Sequence, residues 1–413
     1  MRKAKNSPYV LRKLDSHLQK KLNAQKQIHS LQGVKVIVLL NAKPCNRMMI
    51  KLDRHMGKRR MTSYKKLHVI RAIHTQIPFS SLARLCQCGA VRKILTDRKK
   101  QTHLRFATPT IGATSAQQSG WTGKNIGIAV LDTGVYAHPD LIKPNNRIRA
   151  FKDYVNFKKK PYDDNGHGTH CAGDAAGNGF MSKGKYIAPA PDAHIIGVKV
   201  LDKKGKGYDS TIIRGIQWCI QNKEKYRIRI LSLSLGGKAE LTYRQDPVCL
   251  AIRQATRAGI IVVTSAGNSG PRSKTIETPG ISPESITVGS TNDRNQVDAS
   301  KNKVAKYSSR GPTNDGLSKP DLVAPGTNIT SLVAPQSYLA KKKKKQHVGK
   351  WYMRMSGTSM STPIVAGAIA QILQKEPTLS SKQVKLRLQA EAINLGTYTN
   401  TQGSGLMNNL FLV

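Results

Sequence analysis

Five short apolar runs recur from residue 126 onward, each followed by a segment of helical or turn character: 126–131 (IGIAVL), 194–201 (HIIGVKVL), 228–235 (IRILSLSL), 259–267 (GIIVVTSAG) and 285–290 (SITVGS). Strands that are apolar on both faces need cover on both sides. The alternation therefore predicts an α/β fold, a doubly wound and mostly parallel sheet with helices on both faces. In such sheets the chemistry gathers at the carboxyl ends of the strands. Three of those ends carry unusual residues. The first run leads into Asp132-Thr133-Gly134, the third into Gly236-Gly237, and the fourth into Gly267-Asn268-Ser269-Gly270.

Upstream the texture differs. Residues 34–40 (VKVIVLL) read as a strand, a polar stretch rich in Lys, Arg and Met follows, and 66–73 (KLHVIRAI) read as a second strand. Ser80 and Ser81 can cap a short helix that stops at Gly89, after which 90–97 resume as a strand. This predicts a small α+β domain over 29–105. Before it, residues 1–28 read as a basic tail, mobile or marginally helical. After it, the polar stretch 97–120 reads as an exposed linker leading into a large domain over 106–413.

The chain carries 68 Lys and Arg against 23 Asp and Glu, a net charge of +45, and its first 105 residues hold 26 basic and 3 acidic residues, half of that excess. With 38% apolar residues the chain can bury a large core, which excludes wholesale disorder. The best apolar run, Ile364 to Leu373, falls well short of the roughly 18 residues a membrane span needs, so no membrane role is expected. The basic N-terminus lacks the apolar stretch of a Sec signal, which points to a cytoplasmic protein with reduced cysteines. Cys86-x-Cys88 has no His or Cys partners at zinc spacing. The charge also fits nonspecific attraction to polyanions such as nucleic acid, but no nucleic-acid module is recognisable and only 5% of residues are aromatic.

A hydroxyl nucleophile needs an imidazole to take its proton, a carboxylate to orient that imidazole, and donors for the developing oxyanion. All are present. Asp132 stands at a strand end, His167 opens the helical segment HGTHCAGDAAG, and Ser359 lies in GTSMSTP at another helix start. The Ser359 backbone N–H and the Asn268 side-chain amide would form the oxyanion hole.

These motifs, with HPD at 138–140, SLGG from 234 and SAGNSGP from 265, resemble the subtilisin-like serine proteases, the subtilases of peptidase family S8. The chain order Asp, His, Ser and the gaps of 35, 101 and 91 residues between Asp132, His167, Asn268 and Ser359 are similar to the family's, apart from a longer last interval that holds KKKKK at 341–345. PYDDNGHGTHCAGD, the GVKVLDKKG run and YSSRGPT look most like the AprX-type intracellular subtilases of bacilli. The resemblance implies a serine endopeptidase acting on proteins and peptides through an acyl-enzyme. It also implies that 29–105 is a propeptide that aids folding, inhibits, and is removed by self-processing. Substrate would pair as a strand with Ser234, Leu235 and Gly236, beside Gly237, Ala266 and Gly267. Glu277 would lie at the floor of the P1 pocket, favouring Lys or Arg; alternatively it is exposed or paired with Lys274 or Arg272, and the pocket takes large apolar groups. Met360 resembles the family methionine whose oxidation damages activity. No cofactor is required for this chemistry. A structural calcium is left open, because Asp140 resembles a calcium position in some relatives while the matching loop is not recognisable. His170 and Cys171 are expected to be a packed structural histidine and a buried thiol.

Overall fold

A computed structural model describes residues 12–15, 18–19, 33–56, 64–78, 81–97, 99–102, 110–293 and 298–413. Its first sheet has four antiparallel strands, β1 (Gly33–Leu40), β2 (Tyr64–Leu67), β3 (Ala72–Pro78) and β4 (Val91–Thr96), in the order β2-β3-β1-β4. Successive side chains on a strand point to opposite faces, and β1 uses both. Val36, Val38 and Leu40 pack with Met49 and Leu52 of α1 (Asn46–Met56) and with Leu82 and Leu85 of α2 (Leu82–Gln87). Ile37 and Leu39 face the other way, joining Leu67, Ile70, Ala72 and Leu95 in a second cluster that continues into the large unit.

Three details depart from expectation. The segment 66–73 is not one strand but the end of β2, a short 3-10 turn and the start of β3, because Arg71 adopts a left-handed conformation (φ 49°) and reverses the chain. The polar stretch after β1 contains α1, whose spaced apolar residues bury one face. Leu14 and Leu18, within the basic tail, are buried against the small sheet, and Asp15 accepts from Leu18 N at 2.8 Å and Thr96 N at 2.6 Å. The remainder of 1–28 lies outside the described residues.

The large sheet has eight strands. Its main path runs β14 (Lys303–Val304), β13 (Ile286–Asn292), β12 (Ile261–Ser265), β10 (Ile228–Leu233), β6 (Gly127–Asp132), β8 (His194–Lys199), β7 (Ile148–Asp153), and β15 (Leu322–Pro325) also pairs with β13. Only β14 is antiparallel. From β6 the chain crosses to the edge strand β7 and returns with β8 beside β6, then builds outward in the other direction through β10, β12 and β13. The strand order therefore reverses between β6 and β10, the position where α/β sheets open a crevice. One face is covered by α5 (His167–Ala176) and α9 (Thr358–Lys375), the other by α6 (Asp209–Gln221) and α7 (Pro247–Arg257). The small sheet rests on that second face, Ile37 and Leu95 sharing a cluster with Ile212, Ile216 and Ile252. Among the described residues no helix is long and apolar enough to cross a membrane.

The expected linker is structured at both ends. Residues 113–118 form α3, with Ala113 and Ala116 buried. Residues 99–102 form β5, the middle strand of a three-stranded sheet between β9 (Lys206–Tyr208) and β11 (Leu235–Gly236), antiparallel to both.

Candidate active site

The sheet's carboxyl edge is built around an unusually close approach. A Cβ on Gly168, the second residue of α5, would come within 2.1 Å of Gly134 O and 3.0 Å of Asp132 Cβ, so glycine there lets the helix press against the end of β6. That contact leaves His167 Nδ1 at 2.7 Å from Asp132 Oδ1, with both side chains buried. Ser359, second residue of α9, is buried as well; its Oγ donates to Ser234 O at 3.3 Å, and Ser234 Oγ donates to Ser359 O at 2.7 Å. Cys171, one turn after His167, bridges the two regions, with Sγ 3.8 and 3.9 Å from the ring nitrogens of His167 and 3.5 Å from Ser359 O.

Asn268 follows β12. Its Oδ1 accepts from Thr358 N at 3.0 Å and Thr358 Oγ1 at 3.4 Å, so the amide nitrogen is the atom left to donate, next to the residue that precedes Ser359. Gly237 and Thr278 exchange backbone hydrogen bonds at 3.0 and 2.9 Å, and Ala266 O accepts from Glu277 N at 2.9 Å. Glu277 is 8% exposed, and its Oε1 accepts from Ser269 Oγ at 2.8 Å and Asn268 N at 3.4 Å. The alternative of an exposed Glu277 is thereby corrected: the turn 277–280 folds its side chain inward against Gly267. Thus Asp132, His167, Ser359 and Asn268 converge with Ser234, Leu235, Gly236, Gly237, Ala266, Gly267 and Glu277 at one edge of the sheet.

Asp140 does not suit a calcium ion. Its oxygens accept from Met181 N at 3.0 Å and Tyr352 OH at 2.7 Å, and the Arg147 guanidinium packs against its backbone carbonyl. His170 is a packed residue, its Nδ1 2.8 Å from Asp174 Oδ2. Among the described residues, the one group of side chains with metal-ligand spacing is Asp132, His167 and Cys171 itself. Burial first, then the charge of Asp132, pushes the Cys171 thiol well above its ordinary value, so it stays protonated near neutral pH.

Two supporting residues went unread in the sequence. Asp163 accepts from Thr133 Oγ1, Asn165 N, Gly166 N, Thr169 N and Thr169 Oγ1 at 2.7–3.1 Å, holding the loop before His167. Lys199 is fully buried, and its ammonium donates to Thr133 O at 2.6 Å, Asp164 Oδ1 at 2.7 Å and Leu201 O at 2.9 Å. A lysine inside an otherwise apolar strand was its available signal.

Residues 123–409 match the subtilase family, peptidase S8. The chain is 46% identical to serine protease AprX of Bacillus subtilis over 342 residues, 81% of this chain and 76% of that protein. It is 36% identical to subtilisin BL of Lederbergia lenta over 299 residues, 72% of this chain and 94% of that protein. To subtilisin E of Bacillus subtilis it is 36% identical over 308 residues, 73% of this chain and 69% of that protein. The AprX match is longer than the stretch from residue 123 to the C-terminus, so it reaches into the region of the small sheet.

Lys199→Met should cost about 2–4 kcal/mol, because it leaves Asp164 and two carbonyls without their buried donor. Thermal melting should show a Tm lower by several degrees together with reduced turnover. Unchanged melting would remove Lys199 from this supporting role.

Proposed function

We propose how this chain, which belongs to the subtilase family and is a serine endopeptidase, carries out its chemistry: Ser359 attacks the scissile carbonyl, His167 takes its proton, Asp132 orients His167, and Asn268 with the Ser359 N–H stabilises the oxyanion. The observation that carries the assignment is the buried 2.7 Å contact between Asp132 Oδ1 and His167 Nδ1. It fixes the tautomer with the proton on Nδ1 and leaves Nε2 to act as base. His167 then returns the proton to the leaving amine, giving an acyl-enzyme that water hydrolyses through the same residues. The Asn268 amide is held by Thr358 before any charge develops, so stabilising the oxyanion requires little reorganisation.

Substrate binds by strand addition. The support is β5, a segment of the same chain that already lies between β9 and β11, with Gln101 opposite Gly236 and Thr102 opposite Leu235. The same observation supports reading 29–105 as a propeptide that occupies the cleft of its own catalytic domain until self-cleavage. Asp97, just before β5, adds a second anchor, its carboxylate accepting from Ser210 N at 2.8 Å and Ser210 Oγ at 2.6 Å near the start of α6. All six cysteines are free thiols, which suits a cytoplasmic setting. The buried carboxylate of Glu277 beside Asn268 favours Lys or Arg at P1 over a large apolar residue.

Intact mass of freshly purified wild type and Ser359→Ala should separate the two, wild type losing about its first hundred residues and the variant remaining near 45.3 kDa. Processing of the variant at the wild-type rate would exclude Ser359 as nucleophile. Asn268→Ala should lower kcat about 100- to 1,000-fold, the cost of removing the corresponding donor in subtilisin, a relative of this chain. A change below about threefold takes Asn268 out of the role. In a P1 scan, Glu277→Gln should shift preference from Lys and Arg toward Phe and Leu; an unaltered ratio means that Glu277 does not read P1.

A further inference from the structure

The lysine run 341–345 has no part in the chemistry above, yet the fold carries it to the edge of the site. Helix α8 (Tyr338–Lys342) starts at Ser337, whose Oγ accepts from Ala340 N at 3.3 Å, and Leu339 and Ala340 are buried. It docks on the loop before His167: Tyr338 N donates to Asp164 O and Leu339 N to Asn165 O, both at 2.9 Å. From another side, Asn165 Nδ2 donates to Lys203 O at 2.9 Å, while Asn165 Oδ1 accepts from His167 N at 3.1 Å. One residue, two positions before the candidate base, thus ties together two lysine-bearing segments.

The second segment is the turn 202–206. Asp202 Oδ1 accepts from Lys204 N at 2.8 Å and Lys206 N at 2.9 Å, which fixes its backbone and occupies the turn's one carboxylate. Lys203, Lys204 and Lys206 are exposed, as are Lys341, Lys342, Lys344 and Lys345. The two segments are within electrostatic reach of each other: Lys342, 3.1 Å from the Tyr338 hydroxyl, and more weakly Lys204 hold that phenol below its ordinary value. Asp164 is engaged by Lys199 at 2.7 Å, so the rim is left strongly cationic.

The register of β5 shows what passes this rim. Lys100 faces Gly207 and Gln101 faces Lys206 on one edge, while Thr102 faces Leu235 on the other. An antiparallel peptide that continues in this register meets Ser234 on one side and the turn 203–205 on the other. Ser234 O is also the acceptor of Ser359 Oγ at 3.3 Å.

We propose that the lysines of the turn 202–206 and of the run 341–345 select substrates that carry Asp or Glu near the cleaved bond at positions other than P1. The proposal rests on the protease reading and names the substrate class of that site. At about 0.15 M ionic strength the screening length is roughly 8 Å, long enough for lysines on the rim to act on side chains next to the bond, and at 1 M it falls to roughly 3 Å. The attraction is present in bound substrate and transition state alike, so it lowers KM rather than raising kcat.

The test compares two fluorogenic peptides that share Lys at P1 and the same P1′ residue and carry either Asp or Asn at the positions beyond them on both sides. The enzymes are wild type, Lys203→Glu/Lys204→Glu, and a variant with Lys341, Lys342, Lys344 and Lys345 all changed to Glu. The readout is the Asp-to-Asn ratio of kcat/KM within each enzyme, so altered expression or folding cancels. Wild type should prefer the Asp peptide about tenfold at low salt, through KM, and less than about twofold in 1 M NaCl. Each variant should lose or invert that ratio. Wild type cleaving both peptides equally at low salt, or variants keeping the wild-type ratio, overturns the proposal alone. Failure of wild type to cleave either peptide at any salt overturns the protease reading and this proposal with it.

Discussion

A carboxylate and an imidazole can meet away from water only where the surrounding chain supplies the hydrogen bonds that water would have made. Much of the sheet's carboxyl edge follows from that demand. Thr133 meets part of it at the centre, since the bonds from Thr133 and His167 both reach Asp132 Oδ1. Its N–H donates to Asp132, its hydroxyl donates to Asp163 and accepts from Gly168 N, and its carbonyl takes the Lys199 ammonium. Asp163 in turn organises the loop that delivers His167. The buried ammonium meets three acceptors at once, and these bonds tie the end of β6 to β8 and to the loop before α5.

The small sheet is held by a different kind of force. Ile37, Leu39, Leu67, Ile70, Ala72 and Leu95 form its share of the apolar cluster shared with α6 and α7, while the chain on each side of the junction is heavily basic. Burial of apolar area is indifferent to sign, and it must offset the repulsion between two cationic bodies. Among the directed contacts is that of Asp97, one of only three acidic residues in the first 105, placed against Ser210. A sparse acid at that position does more than its count suggests.

The large sheet was legible because its strands are apolar on both faces and their spacing leaves room for covering helices. Asp132, His167, Asn268 and Ser359 were legible because each sits in a short motif at a strand end or helix start. What escaped had little local signal. α1 lies in a stretch dominated by Lys, Arg and Met, where the apolar face of Met49 and Leu52 is defined only by the sheet it covers. β5 reads as a polar linker, since a strand paired through backbone atoms on both edges needs no particular side chains. Asp163 holds mostly its own loop and Lys199 reaches back to Thr133 and Asp164, roles visible only once those groups are brought together, and Glu277 could be placed inward or outward only once Gly267 was seen to leave room for it.

That β5 belongs to the same chain as β9 and β11, between which it lies, has a thermodynamic consequence. A tethered segment occupies its site at an effective concentration fixed by the tether, often millimolar, whatever the amount of protein in solution. Pairing of β5 in the intact chain is therefore independent of dilution. Were the tether cut, the same contacts would become a bimolecular equilibrium, and dilution alone would part the strands.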